Sequence, residues 1–236
     1  MTEWAAKVFW REVVAEPAGD AWHVTLDGRP IRTPGRQLLA LPTAPLAERV
    51  AAEWRAQEGL IRPETMPATR TANSALEKVA PQREAVAEML AGYGETDLLC
   101  YRAESPAELV ARQAEAWDPL LAWAEETYGA PLIVTTGVMA VAQPPAATAR
   151  LAAEVGALDD FALAAFHDLV ALSGSLVLAL AVRAGRLEPE AAWAASRIDE
   201  SWQEEQWGHD DEAAAAAALK ARAFLDAAAF LAAAEM

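Results

Sequence analysis

A single cysteine, Cys100, stands in a chain of 236 residues. No internal disulfide can form, which fits a reducing compartment. Basic residues are also scarce: 19 Lys plus Arg face 35 Asp plus Glu, for a formal net charge of −16. Such a surface is repelled by phosphate backbones and by anionic lipid, so neither nucleic acid nor a membrane is an expected partner. Long apolar runs are missing too. The most apolar uncharged one, Leu169 to Val182, falls short of the roughly 18 to 20 residues that cross a bilayer. Met1 to Trp10 carries Glu3 and Lys7 and has neither the apolar stretch of a secretory signal nor the Arg- and Ser-rich character of a transit peptide. The expectation is a soluble, cytoplasmic chain with no membrane insertion.

Catalytic signatures are equally scarce. The sequence has no Gly-rich phosphate loop closing on Lys-Ser or Lys-Thr, no dinucleotide fingerprint, no paired-His zinc helix and no nucleophile elbow. Three histidines and one cysteine leave few ways to build a metal or thiol site. Cys100 sits in the apolar run Leu98-Leu99-Cys100-Tyr101 and reads as a buried, inert thiol. His167, beside Asp168, reads as a satisfied core histidine on the flank of an apolar helix. His209-Asp210-Asp211 places acids where a helix start already favours them, which weighs against a cation site. The acid pairs Asp159-Asp160 and Glu204-Glu205 read as solvated faces. A hydrolytic enzyme using Asp159, His167 and Asp168 would need those groups to converge in a pocket. The residues therefore predict no catalysis, no cofactor and no metal.

What is present is core-forming. Hydrophobic residues make up 54% of the chain, enough to bury a sizeable interior. Residues up to Leu41 alternate with a period of two. Val8, Trp10 and Val14 lead, then Trp22, Val24 and Leu26 share one face before Asp27-Gly28, a tight-turn dipeptide. Pro30 and Pro34 predict a short or edge return strand, and Gln37 to Leu41 a third run. From Thr43 the period is helical. Thr43 is a predicted N-cap, and Gly59 the predicted end of that first helix. Further helices are predicted over Thr69 to Val79, Pro81 to Gly92, Pro106 to Trp117, Asp118 to Gly129, from Pro144, Asp159 to Arg183, Glu190 to Trp207 and Asp210 to Ala234. Leu132 to Thr135 is a candidate strand. Gly174 is expected to let a neighbouring helix come close. The fold class expected is α+β: a small antiparallel β-rich domain, residues 1–78, followed by a larger all-helical domain, residues 79–236.

One helical face is unusual. Wound as a single helix, Glu190 to Trp207 places Trp193, Arg197, Glu200, Glu204 and Trp207 within about 80° of one another. Ala191, Ala195, Ile198 and Trp202 on the other side suffice to anchor it. Tryptophan and arginine are common anchors of protein interfaces, so these five residues are the candidate partner-binding set. Packing of the two indoles on neighbouring helices is the competing explanation.

Taken together, several segments resemble the family of ATP synthase assembly chaperones that bind the α subunit of the F(1) catalytic head. They are Leu26-Asp27-Gly28-Arg29-Pro30 with Thr33-Pro34, Ala52-Glu53-Trp54 with Gln57, and Met66-Pro67. Thr96-Asp97-Leu98-Leu99-Cys100-Tyr101-Arg102 follows, then Trp117-Asp118-Pro119 with Trp123, and Ser196-Arg197-Ile198-Asp199-Glu200 through Gln203 to Trp207-Gly208. The resemblance implies a β-rich N-terminal domain, a helical C-terminal domain and a non-catalytic chaperone that keeps free α subunit from aggregating before it meets β. It also implies that Glu200 is a functionally important acid. A structural subunit of a stable complex is the alternative.

Overall fold

Asp27 and Gly28 take φ of +48° and +77°, the left-handed pair of a tight hairpin turn. They join β2 (Ala21–Leu26) to β3 (Arg29–Pro30). On its other edge β2 pairs antiparallel with β1 (Val13–Ala18), Val13 opposite Leu26 and Ala18 opposite Ala21. The computed structural model describes residues 6–236; the first five residues of the Met1 to Trp10 segment considered above lie outside them. The opening strand starts at Val13 rather than Val8. Residues before it pair elsewhere: Lys7 bridges Leu60, and the Val8 amide donates to the Gly59 carbonyl at 2.9 Å. A second tight turn, at Gly19 with φ +65°, links β1 to β2. Gln37 to Leu41 makes isolated bridges, Leu38 to Arg32 and Leu41 to Trp22, in place of a full strand.

The residues group into two compact units, one of 6–83, 159–165 and 229–236, the other of 84–158 and 166–228. In the first, α1 (Ala44–Arg55) packs on β1 and β2 through Leu46, Ala47, Val50 and Ala51. Thr43 caps it, its hydroxyl accepting from the Leu46 amide at 3.2 Å. The helix stops at Arg55, before Gly59. Glu53 then does a job its position in sequence does not advertise. Its carboxylate accepts from the amides of Ala68 (2.6 Å) and Thr69 (2.8 Å), the first turn of α2 (Pro67–Ser74), so an acid on one helix satisfies the orphan donors of the next. Gln57 accepts from the Arg62 amide and donates to the Thr65 hydroxyl, tying down the intervening loop. Beyond α2, Ser74, Ala75, Val79, Ala80 and Arg83 keep right-handed helical dihedrals through a π turn and a 3-10 turn containing Pro81. They lead into α3 (Arg83–Ala91).

The second unit is held by a buried acid. Asp97 accepts from the Leu99 amide (3.0 Å), the Ser175 hydroxyl (2.7 Å) and the Val177 amide (2.9 Å). It thereby links the segment before β4 (Tyr101–Arg102) to the start of α7 (Leu176–Arg183). β4 pairs in parallel with β5 (Thr135–Thr136). Residues 107–128 form one helix, α4 (Ala107–Tyr128), with Pro119 inside it, and not two helices meeting at Asp118. Its buried side chains Leu109, Gln113, Trp117, Leu120 and Ala124 run through the proline on one face, so burial outweighs the lost hydrogen bond. α5 (Pro145–Gly156) starts where the prolines predict.

Two predicted long helices are in fact broken. Asp159 to Arg183 divides into α6 (Asp160–Ser173) and α7 at Gly174, whose φ of +73° ends α6. Gly174 thus stops a helix. Glu190 to Trp207 divides into α8 (Pro189–Ser196) and α9 (Ile198–Trp207), because Arg197 leaves helical geometry at φ −114°, ψ 16°. The chain closes with α10 (Asp211–Ala234), capped by Asp210, whose Oδ1 accepts from the Glu212 and Ala213 amides. The architecture is α+β, a small antiparallel sheet at the start of a chiefly helical chain. Among the described residues no helix is long and apolar enough to cross a membrane.

Candidate functional site

Trp193 is positioned from below. Its ring meets Phe224 of α10 at 5.7 Å between centroids, tilted 44°, and Phe224 is wholly buried. The break at Arg197 swings that guanidinium back over the Trp193 ring, 5.7 Å from its centroid, while Nη1 donates to Glu200 Oε1 at 2.6 Å. One side chain therefore carries an indole below and a carboxylate ahead.

Behind these residues α9 is moored to α4. Arg112 forks onto both oxygens of Glu205 at 2.7 and 3.0 Å and lies 5.0 Å over the Trp202 ring. The fork holds the Glu205 carboxyl below the usual carboxylate range. Gln113, buried, donates to Asp199 at 2.5 Å. The Trp117 indole donates to the Ala195 carbonyl at 2.9 Å, closing the end of α8. Arg102 stacks over Trp117 at 5.2 Å and pairs with Asp118 at 2.7 Å.

The outer end of α9 is open. Gly208, at φ +98°, lets the chain turn sharply into α10, and a groove of about 520 Å³ forms between α8, α9 and the first turns of α10. That volume lies in the range of ligand sites. Trp193, Arg197, Glu200, Glu204 and Trp207 all line it. The predicted shared face presumes one continuous helix, and the break between α8 and α9 at Arg197 contradicts that. The five residues nevertheless share one groove, since two short helices with a bend between them still present them to the same side. Of the predicted anchoring face Ile198 is buried and Ala195 and Trp202 are half-buried, whereas Ala191 is exposed; Ala192 and Ser196 are buried in addition.

Trp207 is 80% exposed. Among the described residues no ring or cation stacks on it. Glu204 Oε1 meets His209 Nδ1 at 2.6 Å. Sequence reasoning missed Ser201, Gln203, Asp210, Ala213, Ala214 and Ala217, which line the same groove. The available signal was Gly208 followed by an Ala-rich run, small residues that leave room beside a turn.

The groups first weighed for catalysis are otherwise occupied. Asp159 Oδ1 accepts from the Ala162 amide at 2.8 Å as a helix cap. His167 is half-exposed, not a core residue, and bonds its neighbour Asp168 at 2.9 Å, which raises its pKa. A residue on the flank of α6 rather than on its apolar face reaches solvent. Cys100 is buried, and burial pushes its thiol up to about 12, so the nucleophilic thiolate is essentially unpopulated. Among the described residues, no three His, Cys, Asp or Glu side chains cluster as metal ligands.

Residues 7–125 match the model of a family described as ATP12 chaperone protein. The chain is 25% identical over 217 residues to the mitochondrial atp12 protein of the fission yeast Schizosaccharomyces pombe, covering 87% of this chain and 75% of that one. The crystal structure of Atp12 from Paracoccus denitrificans is similar at a TM-score of 0.95 and 52% identity, over 98% of this chain and all of that one. An Asp-to-Lys variant of that protein superposes equally well, over 99% of this chain. The Atu1473 protein of Agrobacterium tumefaciens follows at 0.91 and 38% identity, over 97% of this chain and 85% of that one.

Proposed function

The chain belongs to the ATP12 family, chaperones of ATP synthase assembly, and from that premise we propose that its client is the free α subunit of the F(1) head. It holds that subunit reversibly until β arrives, by binding and without catalysis. The groove carries this reading. A ring subunit without its neighbour exposes an apolar, interface-sized patch, and such patches aggregate. Trp193 and the exposed Trp207 supply apolar anchors. Arg197, Glu200 and Glu204 supply the polar contacts that keep a complex exchangeable.

The test is to dilute denatured α subunit into buffer holding an equimolar amount of this protein and to follow light scattering. Scattering is expected to stay near baseline; undiminished aggregation overturns the proposal. In the same assay Glu200→Lys reverses one wall charge and frees Arg197. Protection is expected to fall by about fivefold, with circular dichroism and Tm nearly unchanged. An equal loss of fold would instead make Glu200 structural.

A further inference from the structure

The second unit repeats one arrangement three times. Arg102 lies over Trp117 and pairs with Asp118. Arg112 lies over Trp202 and forks onto Glu205. Arg197 lies over Trp193 and bonds Glu200. Each is an indole, a guanidinium and a carboxylate, the combination in which a planar cation satisfies a π face and an anion at once. Trp207 and Glu204, three residues apart on α9, bring an indole and a carboxylate to the same groove; Glu204 Oε1 is met by His209, and among the described residues no arginine lies over the Trp207 ring. We propose that the arginine is supplied by the client: the groove recognises an arginine side chain carried on an apolar stretch of polypeptide. The inference rests on the chaperone reading above and names the chemistry its groove selects.

Charge and shape both favour this occupant. Glu200, Glu204 and Asp210 line the groove against Arg197 alone, and Arg197 is already engaged with Glu200. Glu204 gives one oxygen to His209 and keeps the other. Ala213, Ala214 and Ala217 also line the groove, small apolar side chains that leave room for the residues flanking the arginine. A second copy of this chain is a poor occupant, since each carries a net charge of −16 and like charges repel on approach. Lysine is a weaker fit than arginine, because its compact ammonium neither stacks flat on an indole nor forks onto a carboxylate.

The test uses the full chain labelled with 5-fluorotryptophan, in which Trp207→Phe identifies the Trp207 resonance by its loss. The probes are capped heptapeptides of sequence Ala-Leu-Ala-Xaa-Ala-Leu-Ala, with Arg, Gln or Glu at Xaa. The Arg peptide is expected to shift the Trp207 signal saturably, with the Gln peptide about tenfold weaker and the Glu peptide inert. Glu204→Gln should weaken the Arg peptide about fivefold, and higher salt should weaken it further. Equal binding of the Arg and Gln peptides, or no movement of the Trp207 signal at millimolar peptide, overturns the inference. The α-subunit scattering assay separates the two ideas. Protection of α without Arg selectivity sinks only the arginine; Arg selectivity without protection sinks only the client.

Discussion

A carboxylate with no solvent exposure survives at position 97 because donors converge on it from the Leu99 and Val177 amides and the Ser175 hydroxyl. Asp97→Ala would strand all three donors in the interior. Each unpaired donor costs about 1–3 kcal/mol, so the substitution is expected to remove about 3 kcal/mol or more, read as a lower urea midpoint at unchanged slope. Burial also sets a sign. It lifts the Asp97 pKa above its unfolded value despite the donors, so the folded chain holds this proton more tightly. The contribution of this group to stability therefore falls as pH rises from about 4 through the folded pKa. Caps such as Thr43, Asp159 and Asp210 are legible in sequence, because a capping oxygen sits within three residues of the amide it serves. Glu53 is not, since its amides lie 15 and 16 residues away.

Helix α4 shows what element-scale patterning can and cannot reveal. Pro119 is exposed, and its ring replaces the N–H that would reach the Glu115 carbonyl. Pro119→Ala restores that bond without disturbing the buried face, so stability is expected to rise by about 1–3 kcal/mol. At roughly 2–4 °C per kcal/mol for a chain of this size, the gain is visible in the melting temperature. Proline suggested a boundary where burial of Trp117 and Leu120 kept the helix whole. The opposite error occurred at Gly174 and Arg197. Both lie in periodic stretches that continue on either side, and a single residue with a non-helical backbone does not disturb apolar periodicity. The sheet was legible at Asp27-Gly28, residue types that tolerate the positive φ a tight hairpin turn demands. It was less so at Val8, whose alternation is equally compatible with the hydrogen bond its amide donates to the Gly59 carbonyl. The groove was half legible: its five named side chains share a helical period, while the rest of its lining depends on the turn at Gly208.

At the scale of the whole molecule the excess of acid dominates. With 35 acidic against 19 basic side chains, self-repulsion opposes the folded state, and its mainly surface ion pairs, such as Arg55–Glu48 and Arg222–Asp226, return little. Raising NaCl from 20 to about 300 mM screens that repulsion. The melting temperature is expected to climb by a few degrees, measurable by differential scanning calorimetry; a fall would mean that the ion pairs outweigh the net charge. The same salt is expected to weaken the proposed recognition of an arginine peptide, so stability and that affinity should move in opposite directions along one titration.

The moorings of α9 on α4 bear on how inactive alleles are interpreted. Arg112 and Gln113 grip Glu205 and Asp199 from behind the groove, and neither lines it. With the proposed docking at the groove, a genetic screen for lost assembly is expected to return substitutions at both, and a map of those hits would place the footprint on the face of α9 turned away from the groove.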